Sequence, residues 1–381
     1  MARVRKLKEL GEIITGSTPS MSDSRNYESN DICFIKPSDI HEEAITALES
    51  SEFFIAEYAL KKARIVPKGS ILVTCIGSIG KIGITEKECS FNQQINAILP
   101  NEELVDTSFL AHYLSYKKKE LQDLANSAVV PIINKSQFSE VEIKLPRLEH
   151  QKKIANLLNF LDNIISLRKD QLTKLDQLVK TRFVEMFGCV ENNIFNFPIC
   201  SIGDYCSLKS GTTLPSDVEN EGGSIPYIKV ADMNISGNEK YITASSRYVT
   251  EETAGKRIFP SGAVVFPKRG GAIGTNKKRL TQCPICADLN VMGVIPGEKI
   301  NSFYLLSYFD MVDLGSLDNG SSVPQVNNKD IAPLKFLLPP LPLQEEFAAF
   351  VQKVDKSKAA VKQSLEKLET LKKSLMQEYF G

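Results

Sequence analysis

Val130-Pro131-Ile132-Ile133-Asn134 and Val323-Pro324-Gln325-Val326-Asn327 are one stretch written twice, 193 residues apart. The offset runs on without a gap. Leu145-Pro146 meets Leu338-Pro339, Gln151 meets Gln344, Asp162 meets Asp355, Leu175 meets Leu368, and Phe187-Gly188 meets Phe380-Gly381. A repeat this long is a duplicated pair of modules, not a solenoid unit of a few tens of residues, and it decides the architecture before any local feature does. Two equivalent modules in one chain predict a pseudo-two-fold molecule that engages a partner or ligand twice.

Upstream, the second copy is diverged but traceable. Leu10-Gly11-Glu12-Ile13 with Gly16-Ser17-Thr18-Pro19 corresponds to Ile202-Gly203-Asp204-Tyr205 with Gly211-Thr212-Thr213-Leu214-Pro215. Ile32-Cys33-Phe34-Ile35-Lys36 corresponds to Ile225-Pro226-Tyr227-Ile228-Lys229, and Pro67-Lys68-Gly69-Ser70 to Pro260-Ser261-Gly262-Ala263. Short apolar runs punctuated by Gly, Pro, Ser and Asn read as strands and turns. They predict mixed, strand-rich domains over 1–146 and 195–339.

The segments 147–188 and 340–381 differ in kind. Ile154, Leu158, Leu161, Ile165, Leu172 and Leu175 recur at a 4-3 spacing, as do Phe347, Val351, Val354, Val361, Leu365 and Leu368, with charges between. A sustained 3.5-residue period is the coiled-coil signal. Each segment predicts a helix of about 55 Å at 1.5 Å per residue. Neither can bury its stripe alone, so the two are expected to pair antiparallel and carry the domains at opposite ends of a rod. The fold class is therefore α+β: two strand-rich domains in pseudo-two-fold repeat, separated by two long helices in an antiparallel coiled coil.

The 381 residues allow several domains with real cores, and 42% apolar content fits a globular chain. Lys+Arg and Asp+Glu are both 46, which argues against a generally basic nucleic-acid coat but not against local patches. The start, Met1-Ala2-Arg3-Val4-Arg5-Lys6, lacks a signal-peptide core, and no apolar run reaches the roughly 20 residues a membrane helix needs. Eight scattered cysteines fit a reducing cytoplasm.

Catalytic signatures are missing. There is no Walker A sequence, no Gly-x-Gly-x-x-Gly after a strand, and no Asn/Asp-Pro-Pro-aromatic sequence of the adenine methyltransferase kind. His41, His112 and His150 match no histidine in the other copy, and Cys283-Pro284-Ile285-Cys286 has no second pair at zinc-finger spacing, so it reads as an inert thiol pair. No metal site is expected.

Two Gly-rich stretches carry more weight: Thr74-Cys75-Ile76-Gly77-Ser78-Ile79-Gly80-Lys81 and Pro267-Lys268-Arg269-Gly270-Gly271-Ala272-Ile273-Gly274, the latter followed by Lys277, Lys278 and Arg279. Glycines let backbone N–H groups approach an anion, and basic or amide side chains contact phosphates and base edges. A solvated hairpin would use the same residues. A second such place is Asn134-Lys135-Ser136 and Asn327-Asn328-Lys329, just ahead of each helix. With Thr15, Ser17 and Lys36 in the first copy and Thr212 and Lys229 in the second, these residues are the candidate DNA contacts.

The order domain, long helix, domain, long helix, with Gly-Ser/Thr-Thr-Pro-like starts, Pro-x-Gly turns and Leu-Pro-x-Leu-x-x-Gln ahead of each helix, resembles the specificity subunit of type I restriction–modification enzymes. The resemblance spans the whole chain. It departs at Glu149-His150-Gln151 and Pro342-Leu343-Gln344, where the family's Glu-Gln pair is absent. It implies two target-recognition domains, each reading half of a bipartite site in double-stranded DNA. It also implies two methyltransferase subunits and restriction subunits as partners, with S-adenosylmethionine, Mg and ATP on those subunits and no cofactor or catalysis here. The physics agrees: a roughly 55 Å rod spans on the order of 16 base pairs. The rival readings are a scaffold with two ligand-binding domains on a coiled-coil spacer and no DNA, and an enzyme whose site carries no recognisable motif.

Overall fold

The computed structural model describes residues 3–125, 130–219, 221–317 and 324–381; Met1, Ala2 and Val323 of the stretches quoted above lie outside them. The chain divides into two compact units, Met1–Asp170 with Lys362–Gly381, and Gln171–Val361. These do not follow the expected boundaries at 146, 188 and 339. Each long helix, Leu148–Phe187 and Leu341–Phe380, is shared between units, because the end of each is built into a core that its sequence neighbours do not form.

In the first unit a five-stranded sheet runs Gly11–Thr15, Ile95–Pro100, Ile71–Thr74, Ile82–Thr85, Thr46–Leu48. A four-stranded sheet runs Phe53–Ile55, Ile32–Ile35, Cys89–Phe91, Ile65–Val66. Side chains alternate across a strand, so Ile71-Leu72-Val73 serves two cores. Ile71 and Val73 pack with Phe109, Leu110 and Leu114 of the helix Thr107–Tyr116, whereas Leu72 packs with Val66, Phe91 and Ala97. Asp106 caps that helix, accepting from the Phe109 N–H at 2.9 Å.

The second unit repeats this order. Its five-stranded sheet runs Cys206–Ser210, Val291–Pro296, Val264–Pro267, Arg279–Thr281, Tyr241–Ile242. A three-stranded sheet runs Tyr248–Val249, Ile225–Ile228, Cys286–Ala287. The helix Ser302–Met311 covers the first sheet through Leu305, Leu306 and Phe309.

A buried glutamine joins each domain to its long helix. Gln151 accepts from the Asp106 N–H at 2.9 Å and donates to the carbonyls of Leu104 at 3.1 Å and Pro146 at 2.9 Å. Gln344 does the same with Asn301 at 2.9 Å, Lys299 at 3.1 Å and Pro339 at 2.8 Å. The Leu-Pro-x-Leu-x-x-Gln motif is thus a joint. One amide satisfies three backbone groups that burial would otherwise leave unpaired, at about 1–3 kcal/mol each.

The helices pair antiparallel within each unit. Asp162 meets Lys372 and Lys169 meets Glu369 in the first; Asp176 meets Lys358 and Arg182 meets Glu346 in the second. Of the seam residues, Leu158, Leu161, Ile165, Phe347, Val351, Val354 and Val361 are buried, and Ile154, Leu172, Leu175, Leu365 and Leu368 are half-buried. The stripe does more than pair helices. Ile154 and Leu158, and Phe347 and Val351, belong to domain cores.

The repeated Phe-Gly ends do the same from the other direction. Phe380 is buried against Phe109 and Tyr113, ring centroids 5.5 and 5.1 Å away, and Lys144 donates to the Gly381 carbonyl at 2.5 Å. Phe187 sits 4.8 Å from Tyr304 and 5.4 Å from Phe347. Among the described residues no helix is long and apolar enough to cross a membrane.

Candidate nucleic-acid interface

Loops distant in sequence meet in one rim on each domain. In the first, Gly77 N–H donates to the Pro131 carbonyl at 3.0 Å and Ile133 N–H to Cys75 at 2.9 Å, which joins the Gly-rich turn to the stretch before Asn134. Cys75 N–H donates to Gln94 at 2.8 Å and Ser17 N–H to Phe91 at 3.0 Å, which adds the turn after Phe91 and the loop after Gly16. The second rim repeats these bonds. Gly270 donates to Pro324 at 2.8 Å, Val326 to Lys268 at 3.0 Å, Lys268 to Asn290 at 2.8 Å, and Thr212 to Ala287 at 2.8 Å.

Glycine is needed at two places in each rim. A Cβ on Gly16 would lie 2.1 Å from the Asn92 carbonyl oxygen, and one on Gly211 would lie 2.0 Å from that of Asp288. No side chain fits there. Gly77 and Gly270 take φ of 76° and 70°, the left-handed turn that glycine reaches without strain.

The rims hold the candidate residues unequally. Exposed on the first are Ser78, Asn134, Lys135 and Ser136; Asn134 also caps a short helix, accepting from Gln137 N–H at 2.9 Å. Exposed on the second are Thr212, Arg269, Asn328 and Lys329, while Asn327 is half-buried and its N–H donates to Asp330 at 2.8 Å. Ser17 is half-buried, its hydroxyl on the Lys62 carbonyl at 3.1 Å, and Thr15 donates to Asn96 at 2.7 Å.

Several expected contacts are internal instead. Lys268 is buried and donates to Ser210 at 2.9 Å, and burial lowers its pKa. Lys278 is buried on Asn276 and the Val312 carbonyl, both at 2.6 Å, with its pKa pushed down to about 8 by desolvation. Arg279 donates to the carbonyls of Lys278 at 2.9 Å and Met233 at 3.4 Å, and desolvation lowers its pKa too. Lys277 donates to Asn234 at 2.5 Å, and Lys229 pairs with Glu219 at 2.6 Å. Lys81 reaches the Pro37 carbonyl at 3.2 Å, and Lys36 lies 3.1 Å above the Phe53 ring. Lys268 ends the strand side of the Gly-rich turn and Lys278 follows it, and both are buried, whereas Arg279 is half-buried. Lys268, Lys278 and Arg279 thus spend their donors inside the domain. Cys283 and Cys286 are free thiols whose pKa values burial raises.

A basic segment beside each rim escaped the sequence reading. Lys61, Lys62 and Arg64 are exposed, held to the first rim by the bond from Ser17 to Lys62. Lys256 and Arg257 are exposed beside the second, where Lys209 donates to the carbonyls of Lys256 at 2.8 Å and Ile258 at 2.6 Å. The signal was present: Arg64 and Arg257 each stand three residues before the matched Pro67 and Pro260. Arg25 lies 4.5 Å over the exposed Tyr58 ring, and Asp23, held down at about 2 by Arg25 and by Lys62, ties this cluster together. Among the described residues no group of three or more His, Cys, Asp or Glu could hold a metal ion.

Each unit thus carries one strand-rich domain with such a rim, together with parts of both long helices. The family model for the type I restriction modification DNA specificity domain matches residues 2–177 and again 196–370. The chain belongs to this family, as a specificity subunit with two target-recognition domains. It is 27% identical over 379 residues to the Type I restriction enzyme MjaIX specificity subunit of Methanocaldococcus jannaschii, covering 92% of this chain and 85% of that one. It is 33% identical over 191 residues to the HindI specificity subunit of Haemophilus influenzae, covering 48% and 40%. Its fold matches the crystal structure of a type I system S subunit from M. genitalium, with a TM-score of 0.59 at 17% identity over 100% of this chain and 96% of that one. It likewise matches a chain from a study of complex assembly and conformational transition of the type I R-M system, with a TM-score of 0.60 at 18% identity over 100% and 97%.

Proposed function

We propose that each rim reads one half of a bipartite target in double-stranded DNA, with the helix pair as spacer and as docking site for two methyltransferase subunits. One observation carries this. Both rims rest on the same backbone bonds, yet they expose different side chains: Ser78, Asn134 and Lys135 on one, Arg269, Asn328 and Lys329 on the other. A shared frame with different donors suits two different base sequences. The exposed basic segments at 61–64 and 256–257 supply phosphate contact beside each rim, and net neutrality is tolerable where partner subunits supply more.

The chain carries recognition without catalysis. S-adenosylmethionine, Mg and ATP belong to the methyltransferase and restriction subunits, and the assembly works in the cytoplasm. Exchanging residues 1–146 for the equivalent domain of a relative with another target should change one half of the methylated sequence and leave the other. A change in both halves, or in neither, rejects separate reading and favours the scaffold alternative.

A further inference from the structure

The turn after Phe91 lies at the middle of the first rim, between Ser17 and Cys75. It is built alike in both domains. Asn92 accepts from the Gln94 N–H at 3.1 Å, and Asp288 accepts from the Asn290 N–H at 3.0 Å. Asn92 N–H donates to Ile35 at 3.1 Å and Asp288 N–H to Ile228 at 3.0 Å, which anchors each turn to the strand beside it. Asn92 and Asp288 are buried, and Gln94 and Asn290 bond them at 2.9 Å. Four of the six turn side chains are therefore spent on holding the backbone.

The tips are free to differ, and they do. Gln93 is exposed, and its carbonyl oxygen accepts from the Thr18 hydroxyl at 2.5 Å. No other partner of Gln93 stands among the described residues, so its amide nitrogen keeps two donors and its oxygen a second lone pair. The counterpart in the second domain is Leu289, half-buried and without a polar group.

We propose that this turn is a base-reading element of each domain, with Gln93 reading a base edge by its amide and Leu289 making apolar contact in its place. A glutamine amide pairs bidentately with adenine N6 and N7, and an apolar side chain suits the thymine methyl. Thr18 holds the amide by one lone pair of its oxygen, which leaves the other lone pair and the nitrogen's two donors for the base. The inference rests on the DNA reading proposed above.

The test uses the full chain assembled with methyltransferase subunits, with methylated sites sequenced from a randomised duplex library. Gln93→Leu should lower discrimination at one base position of the first half-site by about tenfold or more, within the range of one bidentate contact, and leave the second half-site unchanged. Leu289→Gln should alter the second half-site alone. Preferences unchanged at every position, or a uniform loss of methylation across all sequences, would overturn the assignment. The domain exchange keeps the two ideas apart. If the exchange moves a half-site and Gln93→Leu does not, only this inference fails; if neither moves anything, the DNA reading fails with it.

Discussion

Arg269 stands exposed on the second rim, one residue from Lys268, whose ammonium is buried against Ser210. Only the first is exposed to solvent. Arg269→Ala should weaken DNA binding and lower its salt slope by about one per phosphate lost, measured as affinity against salt concentration. Lys278→Ala should leave that slope unchanged, yet cost about 1–2 kcal/mol of stability by removing the partner of the half-buried Val312 carbonyl. A reduced slope for Lys278→Ala would put that lysine back on the DNA. His112 makes a second residue-scale case. Its Nε2 lies 2.8 Å from the Asn159 oxygen and its Nδ1 3.9 Å from the Asp162 carboxylate, which Lys372 already holds. Burial outweighs these neighbours and lowers its pKa from 6.5. The unfolded chain then binds the proton more tightly. The first unit should keep its full stability above about pH 6.5 and lose some as pH falls toward the depressed folded value. Urea midpoints between pH 7.5 and 5.5 should slope less for His112→Gln than for the native chain; equal slopes would refute it.

At the scale of elements, the last turn of the second long helix is part of the first unit's core. Phe380 shares a cluster with Phe109, Tyr113 and Leu158. Phe380→Ala should cost about 3–5 kcal/mol, the range for removing a buried phenylalanine ring. The loss should appear as faster hydrogen exchange in Thr107–Tyr116 and the sheet beneath it. Phe187→Ala should act instead on Ser302–Met311. Exchange changes confined to the mutated helix would show that the Phe-Gly ends are ornaments of the helix and not parts of the cores.

For the whole molecule, the spacer role proposed for the helix pair makes a geometric prediction. One heptad inserted after Asp170, matched by one after Val361, adds about 10 Å of helix at 1.5 Å per residue. The unread spacer should lengthen by about 3 base pairs while both half-sites keep their bases. Sequencing of methylated sites reads both quantities at once. An unchanged spacer would mean that the helices do not set the separation.

The duplication, the strand-rich domains and the two paired helices were legible in the residues, because each is carried by a period: 193 residues for the modules, 3.5 for the helix seam. The rims were legible in part. The Gly-rich turns and the Asn134 and Asn327 loops were visible as loop chemistry, but nothing local says that Gly77 meets Pro131 or that the Phe91 turn lies between them. Such meetings depend on strand order, and strands far apart in the chain pair by long-range contacts that no local pattern encodes. Exposure is also a tertiary property. Lys268, Lys278 and Arg269 are alike as basic residues near a glycine turn, and only the fold of the turn against its sheet decides which faces water. The same holds for Gln151 and Gln344: the repeat marked them, and the tertiary structure alone shows three buried backbone groups that each must satisfy.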